Sequence, residues 1–149
     1  MVFLRWILGL ATVAYALWNA VPPVTTLLYK LNKMPPAMAA ETQRFIPMMQ
    51  ATPWWQVALW LFIDLTYLFA AFRVVTRPRE AFVPFLIAAV LDAANWYISK
   101  QRPIYDKTFT AQELQLDYII LCGLVVGAIL YFAASRVRRQ RIQPAVLTD

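Results

Sequence analysis

The chain has 149 residues, 61% of them hydrophobic and 15% charged, with a mean hydropathy of +0.53 and a formal net charge of +6. Water-soluble domains average about 45–50% apolar and about 25% charged residues, so this balance excludes an ordinary soluble domain and points to an integral membrane protein. Histidine is absent, which removes imidazole metal ligands, the common haem ligand and histidine general-base catalysis, and the single cysteine, Cys122, excludes an intramolecular disulfide.

A hydrocarbon core of about 30 Å takes about 20 apolar residues to cross, and the chain holds four such runs, at 2–20, 54–73, 80–99 and 111–139. They leave no room for a separate soluble domain, so we predict one all-α membrane domain, a bundle of four transmembrane helices. In the first run Arg5 precedes an apolar stretch that ends near Ala14-Tyr15-Ala16, a small-x-small pattern like that cut by signal peptidase. We expect the run to stay in place as the first span. Thr12, Tyr15 and Asn19 recur along it at three- and four-residue steps, which gives one polar face.

The outer loop, 21–53, carries Pro22, Pro23, Pro35, Pro36, Pro47 and Pro53, which break any long helix. Between them Val24, Leu27, Leu28 and Leu31 fall at i, i+3, i+4 and i+7, which predicts a short amphipathic helix lying on the outer membrane surface. A second such piece is expected in "MAAETQRF", and "TPWW" brings the chain back with tryptophans at interface level. The alternative is a lid or a docking surface for a partner.

The second span contains "LFIDLTYLF", with Asp64 among apolar residues, and the third contains Asp92. An ionised, unpaired carboxylate at mid-bilayer costs about 2.5–3.5 kcal/mol, so each is expected to face the protein interior or to carry a proton. Phe85, Ala88, Ala89, Asp92, Asn95, Trp96 and Ser99 share one side of the third helix, with Val83, Ile87, Val90, Ala94 and Tyr97 opposite. At 1.5 Å rise per residue, Asp64 lies about 16 Å along its helix from Pro53 and Asp92 about 10 Å from Ser99. The two depths place Asp64, Asp92, Asn95, Tyr67, Tyr15 and Asn19 in one candidate polar cluster in the outer half of the membrane. Three roles compete for it. The residues tie helices together by hydrogen bonds of about 0.6 kcal/mol each; they line a cavity for a cation, a proton or a small amphiphile; or one Asp pairs with a basic residue of another subunit. No Arg or Lys lies at matching depth within the chain.

Thr110 and Glu113 have capping-box spacing, so the fourth helix is expected to start near Ala111, outside the bilayer, with Glu113 and Asp117 in its exposed first turns. Further along, Gly123 and Gly127 form a GxxxG pair that permits close helix packing, against a neighbouring span or another protein.

Arg5, Arg73, Arg77, Arg79, Arg136, Arg138, Arg139 and Arg141 fall on one side of this topology. Lys30, Lys33, Arg44, Lys100, Arg102 and Lys107 fall on the other. The first set lies close to span ends, so both termini are predicted to be cytoplasmic, in a bacterial inner membrane. The tail, 136–149, opens with "RVRRQR", a topology anchor; the alternative is a site for anionic lipid headgroups at Arg136, Arg138, Arg139 and Arg141, worth about 1 kcal/mol per charge. No nucleic-acid partner is expected.

The sequence shows no phosphate-binding glycine loop, no Cys/His metal spacing, no nucleophile elbow and no internal repeat, so no catalytic residue, metal site or cofactor is assigned. The functional expectation is a non-catalytic accessory or assembly subunit of a larger membrane complex, with other membrane-protein subunits and the lipid bilayer as partners. Its rival is a protein that handles a small molecule, lipid, quinone or proton, as a transporter or four-span enzyme using the carboxylates.

Overall fold

The computed structural model of the chain describes residues 2–136; the basic residues Arg138, Arg139 and Arg141 and the end of the predicted fourth span lie outside them. Every regular element among the described residues is a helix. They run α1 (Val2–Asn19), α2 (Val21–Lys30), α3 (Pro36–Glu41), a 3-10 turn (Gln43–Phe45), α4 (Ile46–Ala51), α5 (Trp54–Thr76), a second 3-10 turn (Pro78–Glu80), α6 (Phe82–Lys100), α7 (Tyr105–Thr108) and α8 (Ala111–Arg136). Four segments are long and apolar enough to cross a bilayer, Phe3–Lys30, Trp54–Thr76, Pro78–Lys100 and Ala111–Arg136, and the chain is an integral membrane protein.

The first of these segments joins α1 and α2, which the sequence separates at Pro22 and Pro23. Ala20 keeps right-handed helical angles, φ −72° and ψ −17°. Its amide bonds to Ala16 O at 2.9 Å, and Val24 N bonds back to Ala20 O at 3.1 Å. The two prolines sit in the first turn of α2, where the N–H groups they lack would have no partner in a fresh helix, so they allow a restart rather than force a stop. Asn32, at φ 53°, takes the left-handed position that ends a helix, and Lys33 N closes the turn on Leu28 O at 2.9 Å.

The apolar stripe of α2, expected to lie against the membrane, is not part of the buried core. Val24 and Leu31 are exposed, while Pro23, Thr25 and Thr26 are buried, with both threonine hydroxyls turned back onto carbonyls of the same helix. In a chain surrounded by lipid an apolar side need not face the protein, so hydrophobic periodicity alone does not orient such a helix.

Helix α5 lies between α1 and α6, and α8 packs chiefly on α6. The shared core joins Ala16 of α1, Ile63, Tyr67, Ala70 and Val74 of α5, Phe85 and Ala88 of α6, and Tyr131 of α8. Gly9 lets α1 approach α5 closely: a Cβ there would meet Val75 Cγ2 at 3.0 Å and Ala71 O at 3.4 Å. Phe85 stacks on Tyr131 at 4.1 Å and meets Tyr67 edge-on at 5.6 Å, so aromatic rings join α5, α6 and α8. Thr12 and Tyr131 share a 2.8 Å hydrogen bond that ties α1 to α8. Outward, Phe62, Leu65 and Phe72 of α5 and Val125, Val126 and Ile129 of α8 stay exposed, an apolar rim suited to acyl chains.

The starts of α8 and α5 are differently built. Helix α8 opens with a reciprocal pair: Thr110 N donates to Glu113 Oε2 at 2.8 Å, and Glu113 N donates to Thr110 Oγ1 at 3.3 Å. Helix α5 opens on Pro53 in extended conformation with no side-chain cap.

Candidate binding site

Helical spacing brings polar groups from three helices to one level. Tyr15 and Asn19 are four apart on α1; Trp60, Asp64 and Tyr67 lie on one face of α5; Asp92, Asn95 and Ser99 lie on one face of α6. Tyr15 OH donates to Asp92 Oδ2 at 2.6 Å, and Tyr67 OH donates to the same oxygen at 3.2 Å. The two phenol rings meet edge to face, 5.2 Å apart. Asn19 Nδ2 donates to Asp64 Oδ1 at 2.9 Å. Both carboxyl groups are thus held by uncharged donors. Asp64 is 4% exposed, and its second oxygen, Oδ2, is buried without a hydrogen-bond partner.

Asn95 joins a second network, one turn further out on α6. Gln56 Nε2 donates to Asn95 Oδ1 and to Ser99 Oγ, both at 2.8 Å. Gln56 Oε1 in turn accepts from Arg102, which also donates to Thr52 Oγ1 at 3.2 Å. Burial lowers the pKa of this guanidinium from its ordinary value. Neither Gln56 nor Arg102 stands out in the sequence as a site residue. Gln56 follows two interface tryptophans and reads as part of the span's polar entrance. The available signal is its spacing of eight from Asp64, which puts both on one face.

A cavity of about 530 Å³ opens beside these networks, bounded by α1 and α2, by α3 and α4, and by the N-terminal half of α8. Its polar end carries Tyr15, Asn19, Asp92, Asn95 and Ser99. Met48, Met49, Phe45, Ile120 and Leu121 supply apolar wall, and Trp18, Trp60 and Trp96 face it as well. Of the carboxylates in α5 and α6, Asp92 lines the cavity; Asp64 and Tyr67 do not, although Asn19 connects Asp64 to it. Glu41, Glu113 and Asp117 line the outer part, and no Lys or Arg is among the lining residues described. Glu113 pairs with Arg44, and Asp117 accepts from Tyr105 OH at 2.6 Å. Burial and the neighbouring Asp117 push the Tyr105 phenol above its ordinary pKa.

The glycine pair of α8 divides. A Cβ at Gly127 would lie 2.8 Å from Phe85 Cζ, whereas at Gly123 nothing lies within 4 Å. The spacing therefore serves one close internal contact, and Gly123 faces away from the other helices beside exposed Cys122. At the opposite end of the molecule, Arg5, Arg77 and Arg79 line a separate cleft with Glu80. Compared with known proteins, the chain matches no family model, no curated protein and no solved structure.

Proposed function

We propose that this four-span membrane protein binds a small amphiphilic molecule in the cavity between α1–α2, α6 and α8, with the polar group at Asp92 and Asn95 and the apolar part along α8. The supporting observation is the cavity itself: about 530 Å³ falls within the roughly 300–1,000 Å³ of small-molecule sites, and its apolar walls with a few convergent polar groups match their usual composition. In this reading the spans form a bundle, α2, α3 and α4 lie at the outer surface, and both termini face the cytoplasm of a bacterial cell. The cleft lined by Arg5, Arg77 and Arg79 supports that orientation, since basic residues near span ends are retained inside. The role is binding, whether for transport or sensing.

Three tryptophans on the cavity wall provide the test. In lipid nanodiscs, a brominated short-chain alcohol should quench their fluorescence saturably in the wild-type chain. In a variant combining Thr26→Phe and Leu121→Phe, which projects two rings into the cavity, only the linear quenching of lipid partition should remain. Identical linear curves for both proteins would refute the proposal.

A second reading, an accessory or assembly subunit docked on other membrane proteins, draws support from the open side of α8 at Gly123, Val126 and Ile129. Native mass analysis after gentle detergent extraction decides it, because a lone chain with no stoichiometric protein partner would rule it out.

A further inference from the structure

Resting on that binding role, we infer that the occupant is a hydrophobic cation, an alkyl or aryl ammonium, whose charge lies against Asp92. Among the described residues, the titratable side chains lining the cavity are Glu41, Asp92, Glu113 and Asp117 together with the phenols of Tyr15 and Tyr105, and no basic side chain is among them. The nearby cations are engaged elsewhere: Arg44 pairs with Glu113, Arg102 bonds to Gln56 and Thr52, and Lys100 sits over the rings of Trp96 and Tyr118 at 5.0 and 4.6 Å. An anion entering the cavity would meet Asp92, Glu41 and Asp117, none of them in a described ion pair, while a cation would be attracted by them.

The deep end suits a cation in detail. Both phenols donate to Asp92 Oδ2, and the Asn19 side chain lies within reach of the same carboxyl, so its partners within the chain are all uncharged. Trp18, Trp60 and Trp96 surround the site, and indole is the ring that attracts cations most strongly. Met38, Met48 and Met49 give the outer wall unbranched, polarizable side chains that adapt to apolar groups of different shape. A neutral ligand would leave the carboxylate without a charge partner in an apolar cavity.

Three probes of similar size and different charge test this: tetraphenylphosphonium, tetraphenylborate and neutral triphenylphosphine oxide. Binding is measured by equilibrium dialysis against the full chain in phosphatidylcholine nanodiscs, with empty discs as the blank. The expected result is saturable binding of the phosphonium, at least about tenfold tighter than either other probe. Asp92→Asn should weaken it by about a hundredfold or more, the effect of one charge a few ångströms away at an effective dielectric of about 20. Glu41→Gln, exposed on α3, should weaken it by about two- to threefold through a longer, screened interaction. If Asp92→Asn does not fold, the charge series on the unaltered chain and Glu41→Gln still decide the matter. Equal or tighter binding of the borate or the oxide would overturn the cation while leaving the cavity's binding role intact. Absence of saturable binding for all three would overturn both.

Discussion

Alanine at Gly127 and alanine at Gly123 are the same chemical change on the same helix, and they should have opposite effects. At Gly127 the new methyl would lie 2.8 Å from Phe85 Cζ and 3.3 Å from Cε1. The Phe85 ring has little room to retreat, being 5% exposed, stacked on Tyr131 at 4.1 Å and in contact with Tyr67 at 5.6 Å. Inserting a methyl into such packing costs about 1–3 kcal/mol. The gain in helix propensity from Gly to Ala offsets up to about 1 kcal/mol of that. Gly127→Ala should therefore be destabilising by up to about 2 kcal/mol, whereas Gly123→Ala, with open space around it, should be neutral or stabilising by up to about 1 kcal/mol. Reversible unfolding in mixed micelles, followed by circular dichroism as the SDS fraction rises, reads both. Coincident midpoints would show that Phe85 does not sit against α8 as described. A loss of stability at Gly123 would show that this side of the helix is covered by another chain.

Three further substitutions test the polar networks by the same unfolding assay. Gln56→Leu removes the donor to Asn95 and Ser99 and the acceptor for Arg102, so it should cost about 1–3 kcal/mol for buried groups left unpaired; wild-type stability would mean that water already serves those groups. Glu113→Ala removes the return bond to the Thr110 amide as well as the Arg44 pair. It should cost about 0.5–2 kcal/mol, against about 0–1 kcal/mol for Arg44→Ala, which breaks only an exposed ion pair. Equal losses would assign the contribution to the ion pair and not to the helix start.

What the sequence makes legible here depends on how local the signal is. The inward face of α6 can be read directly, because small and polar residues recur at helical spacing while Val83, Val90 and Tyr97 opposite are large and exposed. The start of α8 is readable for the same reason, since a capping box is complete within four residues. In α2 the apolar stripe is legible but the inward contacts, made by Pro23, Thr25 and Thr26, are not. GxxxG spacing states that close approach is possible, not which glycine uses it; only the position of Phe85 on another helix separates Gly127 from Gly123. Gln56 escapes notice because a glutamine near a span end is ordinary until its neighbours on α6 are known. The cavity is the least legible feature, since its walls come from residues as far apart in sequence as Tyr15 and Leu124.

The ion pairs and the buried carboxylates divide the molecule in another respect. Among the described residues, the ion pairs Arg44–Glu113, Arg73–Glu80 and Arg77–Glu80 each include a side chain at least half exposed. Asp64 and Asp92, by contrast, are held by an amide and two phenols. Mobile ions screen exposed charges over a Debye length of about 8 Å at physiological ionic strength and reach buried dipolar contacts far less. Added salt should therefore weaken the ion pairs at the two ends of the protein while leaving the hydrogen bonds that frame the cavity little changed.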